Sequence, residues 1–143
     1  MDLNYPAQLQ QDDDGRYVVT FPDMPYGATD GTTQTEALLE AVDCLDEVLA
    51  GLMEDGLPLP HPSAKKHNQH LIHPSAQISA KAALYTAMID AGITKVELAT
   101  RLECDEKEVR RMLDPRHPTK LPRIEQALVA LGKRLVVSVE DAA

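Results

Sequence analysis

Lys95-Val96-Glu97-Leu98-Ala99-Thr100-Arg101-Leu102-Glu103-Cys104-Asp105-Glu106-Lys107-Glu108-Val109-Arg110-Arg111-Met112-Leu113-Asp114 reads as two short amphipathic helices joined by a tight turn. Thr94 and Asp105 stand where N-caps are needed, each offering a side-chain oxygen to the free amides of the next turn. Val96, Leu98, Ala99 and Leu102 are expected to face inward from the first helix, and Ala99 is small enough to let the second approach closely. At about 100° per residue, Val109, Met112 and Leu113 share one face of the second helix. Lys107, Arg110, Arg111 and Asp114 fall on the opposite face, with Glu106 at its border. An apolar back and a basic front are what a recognition helix needs in the major groove of double-stranded DNA. Arg110 or Arg111 can donate two hydrogen bonds to guanine O6 and N7, and Lys107 can act there as a point charge. Lys95, Arg116, His117, Thr119 and Lys120 flank the unit, where phosphate contacts would set its register. The competing reading of the same pattern is a solvated helix face. The turn also carries Glu103 where such bihelical units usually carry glycine.

Outward from this unit the helical period continues. A helix from Ile78, with Ala82, Ala83, Leu84, Ala87 and Met88 toward a core, ends at Gly92, and another over 122–131 closes at Gly132. Residues 134–139 then turn to strand. Leu135, Val136, Val137 and Val139 make that strand apolar on both faces, which an exposed edge should not be. Burial between two copies of the chain is the preferred explanation. A homodimer or tetramer also suits single DNA-reading modules, which bind weakly alone.

Upstream, residues 64–77 read as a linker, preceded by the proline-rich run Leu57-Pro58-Leu59-Pro60-His61-Pro62-Ser63. Within it, Ile72 is expected to pair briefly with a sheet edge. Residues 1–63 predict a β-β-β-α unit. Leu3, Tyr5, Ala7 and Leu9 alternate with polar neighbours, Asp12-Asp13-Asp14-Gly15 turns the chain, and Arg16-Tyr17-Val18-Val19-Thr20-Phe21 returns. A short third strand follows around residues 26–29. Thr33-Gln34-Thr35-Glu36 is a capping box, and the helix behind it keeps Leu38, Ala41, Leu45, Val48, Leu49 and Leu52 on one stripe. The fold class is therefore an α+β N-terminal domain (1–63), a linker (64–77), and an all-α helix-turn-helix domain with a C-terminal strand (78–143).

Charge divides along the same line. Residues 1–63 hold thirteen Asp and Glu against the single cation Arg16; residues 64–143 hold ten acids against thirteen Lys and Arg. The first half is unsuited to polyphosphate and suits a cationic partner, whereas the second can present a local basic patch. Asp12, Asp13, Asp14 and Asp23 form no convincing metal site, because three consecutive residues cannot all point at one cation. His61, His67, His70 and His73 lie in a proline-interrupted stretch with nothing to fix them as ligands. No phosphate loop and no nucleophile grouping stands out, so neither cofactor nor metal is expected and an enzyme is disfavoured. Cys44 and Cys104 are unpatterned and read as buried thiols. The start Met1-Asp2-Leu3-Asn4-Tyr5-Pro6 has no leader pattern and no run reaches membrane-spanning length, which points to the cytoplasm.

Gly15-Arg16-Tyr17-Val18-Val19-Thr20-Phe21-Pro22-Asp23-Met24-Pro25, followed by Asp30-Gly31-Thr32-Thr33-Gln34-Thr35-Glu36-Ala37, resembles the first-domain signature of HicB-type antitoxins of the HicA–HicB toxin–antitoxin family. Glu97-Leu98-Ala99-Thr100-Arg101-Leu102, Val109-Arg110-Arg111-Met112-Leu113-Asp114-Pro115-Arg116-His117 and Ala127-Leu128-Val129-Ala130-Leu131-Gly132 resemble the branch with a C-terminal helix-turn-helix. The resemblance covers nearly the whole chain. It implies a partial, non-catalytic RNase H-like fold for residues 1–63. It also implies a small basic HicA-type toxin partner that cleaves mRNA with a histidine, and repression of the chain's own operon through operator DNA. The DNA-facing set is then Lys95, Glu106, Lys107, Arg110, Arg111, Arg116 and Lys120. Asp23, Glu40, Asp43 and Glu47 are chosen as toxin contacts from their expected exposure on the sheet edge and helix. Two rivals stay open on the residues alone: a repressor whose first half senses a small ligand, and a Mg²⁺ nuclease using the four aspartates of 12–14 and 23.

Overall fold

The structure, a computed structural model, describes residues 1–142. Three antiparallel strands open the chain: β1 (Tyr5–Gln11), β2 (Tyr17–Phe21) and β3 (Met24–Gly31). Asp12 Oδ1 builds the first turn by accepting from the amides of Asp14 at 3.0 Å and Arg16 at 2.8 Å, while Gly15 takes the left-handed conformation at φ +79°. This carboxylate shapes its own turn. Leu9 pairs with Val19 and Val19 with Thr29, so the alternation read in the sequence places the apolar residues on one face.

Helix α1 (Gln34–Glu54) lies across that face. Thr33 Oγ1 accepts from the amide of Glu36 at 3.1 Å, as a capping box requires. The Glu36 carboxylate reaches back one residue further than that motif prescribes, to the amide and hydroxyl of Thr32. Gly31 makes the junction possible: a Cβ there would lie 2.6 Å from the Ala37 nitrogen. Ala37, Ala41, Leu45 and Leu49 then bury Tyr5, Ala7, Val19, Phe21 and Met24.

The stretch after α1 is tied to this unit. The Tyr5 hydroxyl donates to the carbonyl of Pro60 at 2.7 Å, and Asp23 Oδ2 accepts from the Ser63 amide at 2.9 Å and its hydroxyl at 3.2 Å. Burial, with Asp23 nearby, pushes the Tyr5 phenol up to about 12. A fourth strand, β4 (His70–Ile72), pairs antiparallel with β1 through Tyr5 and Ile72, giving the order β3-β2-β1-β4. Residues 64–77 thus contain a strand and the first two residues of α2 (Ala76–Ala91).

α2 serves both cores. Its Ile78 closes the first, and Ala80, Leu84, Ala87 and Met88 enter the second with residues of α3 (Lys95–Leu102), α4 (Glu106–Leu113) and α5 (Leu121–Ala130). Leu98, Val109, Met112 and Ile124 are buried there, and Leu102 and Cys104 pack half-buried at the margin. Cys44 is likewise half-buried rather than enclosed. Val96, expected inward, is 58% exposed, because two residues turn the helix by about 200° and place it opposite Leu98.

The expected C-terminal strand is not formed. Residues 131–142 carry no regular secondary structure. Leu135 packs on the second core, but Val136, Val137 and Val139 are 77%, 73% and 97% exposed. A strand exists only through a ladder, and no described strand pairs with 134–139, although Glu140 comes within 3.8 Å of His73, just past the end of the edge strand β4. No helix among the described residues is long and apolar enough to cross a membrane.

Candidate nucleic-acid and partner-binding surfaces

The α3–α4 pair is fixed from within. Thr94 Oγ1 accepts from the amide of Glu97 at 3.1 Å, and Asp105 Oδ1 accepts from that of Lys107 at 3.0 Å. Glu103, at the turn, is the only non-glycine with positive φ (+53°) among the described residues, and its amide closes onto Thr100. The turn therefore has the left-handed shape for which glycine is favoured, held here by a glutamate. With Val109, Met112 and Leu113 inward, α4 turns Lys107, Arg110 and Arg111 to solvent. Arg110 is paired along the helix with Glu106, Nη2 to Oε1 at 2.9 Å, so Glu106 is spoken for by the arginine one turn on. Arg123 of α5 holds Glu108 at 2.7 Å.

The loop after α4 is built around a buried cation that the sequence reading did not single out. Lys81 of α2 is fully buried. Its ammonium donates to the carbonyls of Arg111 at 2.9 Å, Asp114 at 2.7 Å and His117, and to Thr119 Oγ1 at 2.8 Å. Desolvation pulls this ammonium down to about 8 while Asp114 opposes the fall, so it stays charged at neutral pH. The Arg111 carbonyl is at the C-terminal end of α4, where a cation also suits the helix dipole. The signal was legible: position 81 shares the stripe of Leu84 and Met88, and a lysine on a core stripe needs acceptors.

The loop thus anchored carries Arg116, expected on phosphate. Its Nη1 instead donates to Glu47 at 2.7 and 2.8 Å, and its Nε to Glu54 at 2.7 Å. These carboxylates hold the guanidinium above the usual arginine value, Glu47 contributing most. Lys95, Arg110 and Arg116 line one cleft of about 760 Å³ between the end of α1, α2 and α4, with Met53, Met88 and Leu113 among its walls. Lys107, Arg111 and Lys120 are exposed outside that lining.

On the acidic half, Glu40, Asp43 and Glu47 follow one another at helical spacing along the exposed face of α1. Glu40 and Asp43 make no hydrogen bond or ion pair among the described residues, whereas Glu47 is engaged by Arg116 and Asp23 by Ser63. Among the described residues no group of three His, Cys, Asp or Glu is arranged to hold a metal ion.

Comparison with known proteins places this architecture in a class. A profile described as the HicB-like antitoxin of bacterial toxin–antitoxin systems matches residues 4–83. Antitoxin HicB 1 of Photorhabdus laumondii subsp. laumondii is 34% identical over 140 residues, 96% of this chain and 88% of the relative. Antitoxin HicB of Escherichia coli K12 is 33% identical over 133 residues, covering 93% and 96% of the two chains. Antitoxin HicB 2 of the same Photorhabdus is 35% identical over 133 residues, 93% and 94% of the two. The chain belongs to the HicB-like antitoxin family.

Proposed function

We propose that this chain is a cytoplasmic antitoxin with two binding faces and no catalytic role of its own. The N-terminal half binds and inhibits a small basic HicA-type mRNA-cleaving toxin. The α3–α4 pair acts as a helix-turn-helix that binds operator double-stranded DNA and represses the chain's own operon. Residues 1–63 form the toxin-neutralising domain, 64–77 the connection, and 78–143 the DNA-binding and dimerisation domain. A second copy completes a strand over Leu135, Val136, Val137 and Val139, giving a homodimer or tetramer.

The observation that carries the reading is the placement of charge. Carboxylates project from one face of α1, and Lys107, Arg110 and Arg111 project from the outer face of α4. An acidic helix steers a cationic partner and covers the surface it would use on RNA phosphate. Exposed cations on a short helix with a firmly packed back suit groove reading, and those beside it suit phosphate.

Co-purification of the tagged full chain from its native cytoplasm at low and high salt tests the first role. The full chain is required, because a fragment ending at residue 63 would lack β4 and Ile78. One small basic protein, lost as salt rises, is the expected result. No partner at either salt would refute the toxin-binding role and favour a ligand-sensing repressor, with the cleft between α1, α2 and α4 as its pocket. For DNA, Arg110→Ala should lower operator affinity by about 1–3 kcal/mol and relax sequence preference. Lys120→Ala should weaken binding to every sequence. Equal operator binding by wild type and Arg110→Ala would sink the groove assignment.

A further inference from the structure

Among the described residues, Arg116 is the one place where residues expected to serve two different partners hold each other. Its guanidinium reaches from the loop after α4 to Glu47 and Glu54 of α1, 69 and 62 residues away in sequence. Three charge-assisted hydrogen bonds of 2.7–2.8 Å use both Nη1 and Nε. The backbone beneath it is held by other groups. Lys81 binds the carbonyls on either side, at Asp114 and His117, the Arg116 amide donates to Asp114 Oδ1 at 2.9 Å, and the Thr119 amide donates to Gln77 at 2.7 Å. The loop can therefore keep its shape while the side chain changes partner.

Carboxylate and phosphate oxygens are alike anionic acceptors for a guanidinium, so a phosphate can replace either glutamate on Arg116. All three side chains are about half exposed, so the pairs sit in water and exchange readily for another anion. Lys95 and Arg110 line the same cleft, so an incoming phosphate backbone would meet further cations beside the arginine.

We propose that Glu47 and Glu54 act as an internal phosphate substitute that withholds Arg116 from DNA until a duplex displaces them. This rests on the reading of the C-terminal half as a DNA-binding unit. The contact lowers affinity for duplex of any sequence, because every DNA complex that uses Arg116 must first break it. A site with good groove contacts overcomes the loss, and random sequence does not. Because the loss is the same for every sequence, the ratio of affinities set by α4 is unchanged, and the acidic helix lowers the absolute occupancy of random sequence.

The test measures binding of the full-length chain to a labelled random-sequence 20-bp duplex by fluorescence anisotropy between 50 and 200 mM salt. Glu47→Gln/Glu54→Gln should bind about three- to tenfold more tightly at the lower salt, with the log–log salt slope steeper by about 0.9, the value for one added phosphate contact. Asp13→Asn/Asp14→Asn removes the same charge from the distant β1–β2 turn and should give a smaller gain with an unchanged slope. Adding Arg116→Ala to the glutamine pair should abolish the gain beyond that control. A gain no larger than the control, or one that survives Arg116→Ala, overturns the proposal while leaving DNA binding intact. Failure of every variant and of wild type to bind any duplex would overturn the DNA-binding reading itself, and this inference with it.

Discussion

Replacing Lys81 with Met tests whether a buried ammonium organises the loop that follows α4. Methionine retains most of the apolar stem and removes the charge. Three carbonyls and the Thr119 hydroxyl then lose their donor. An ammonium has three N–H donors to share among these four acceptors; at about 2 kcal/mol per hydrogen bond from a charged donor, the three together are worth about 6 kcal/mol. Against this stands the cost of burying the charge. The fall of the ammonium from 10.5 to about 8 puts that cost at about 3 kcal/mol, recovered on substitution. The balance predicts that Lys81→Met loses about 3 kcal/mol, read by urea denaturation at pH 7 and followed by circular dichroism. A loss below about 1 kcal/mol would refute the reasoning, since water or a rearranged loop would then be satisfying the carbonyls. The pH dependence has a definite sign. Below about 8 both folded and unfolded chains carry the proton, and the group adds no slope. Between about 8 and 10.5 the folded chain has released a proton that the unfolded chain retains, so stability attributable to this group rises with pH. That rise should be present in wild type and missing from Lys81→Met.

Gly31→Ala should destabilise by about 1–3 kcal/mol, because the new methyl would press on the backbone at Ala37. Gly51→Ala, inside α1 with nothing within 4 Å, should instead stabilise by about 0.5–1 kcal/mol in the same melting assay. Glu103→Gly should raise stability by up to about 1 kcal/mol, the relief of a left-handed glutamate less the extra freedom of glycine when unfolded. A loss of stability there would show that the Glu103 side chain contributes something its conformation does not reveal. Glu40→Lys/Asp43→Lys should weaken capture of the small basic partner at least tenfold at low salt, measured by competition with wild type, because both carboxylates are exposed and neither is engaged by another of the described residues. Unchanged capture would move the partner's footprint off the N-terminal part of α1.

The elements most legible in the sequence were those whose ends are set by local chemistry. Thr33, Thr94 and Asp105 cap α1, α3 and α4 with their own side chains, and Gly92 ends α2 in the left-handed region. Alternation along Tyr5, Ala7 and Leu9 likewise placed the core face of β1. What local pattern does not encode is a partner far away in sequence. β4 is three residues long, too short to show a period, and exists because β1 leaves an edge for it. The segment 134–139 has the composition of a strand and pairs with no described strand of the chain. Val96 is apolar yet faces outward, because its angular position on α3 opposes that of the buried Leu98.

Charge was legible in number and not in pairing. Expected exposure assigns Asp23 and Glu47 to a protein partner, and position beside the basic helix face assigns Arg116 to phosphate and Glu106 to the DNA-facing set. In the folded chain Glu106 restrains Arg110, Asp23 holds Ser63, and Glu47 shares Arg116 with Glu54. Each of these contacts crosses either one helical turn or tens of residues, and only the former can be anticipated from spacing. The acidity of the first half as seen by an approaching molecule is correspondingly less than its thirteen carboxylates suggest. Arg116 offsets one of the two charges of Glu47 and Glu54, whereas Glu40 and Asp43, beside the exposed Leu39, have no ion-pair partner among the described residues. Glu40 and Asp43 therefore stand ready for a cationic partner at a place away from the cleft shared with α4.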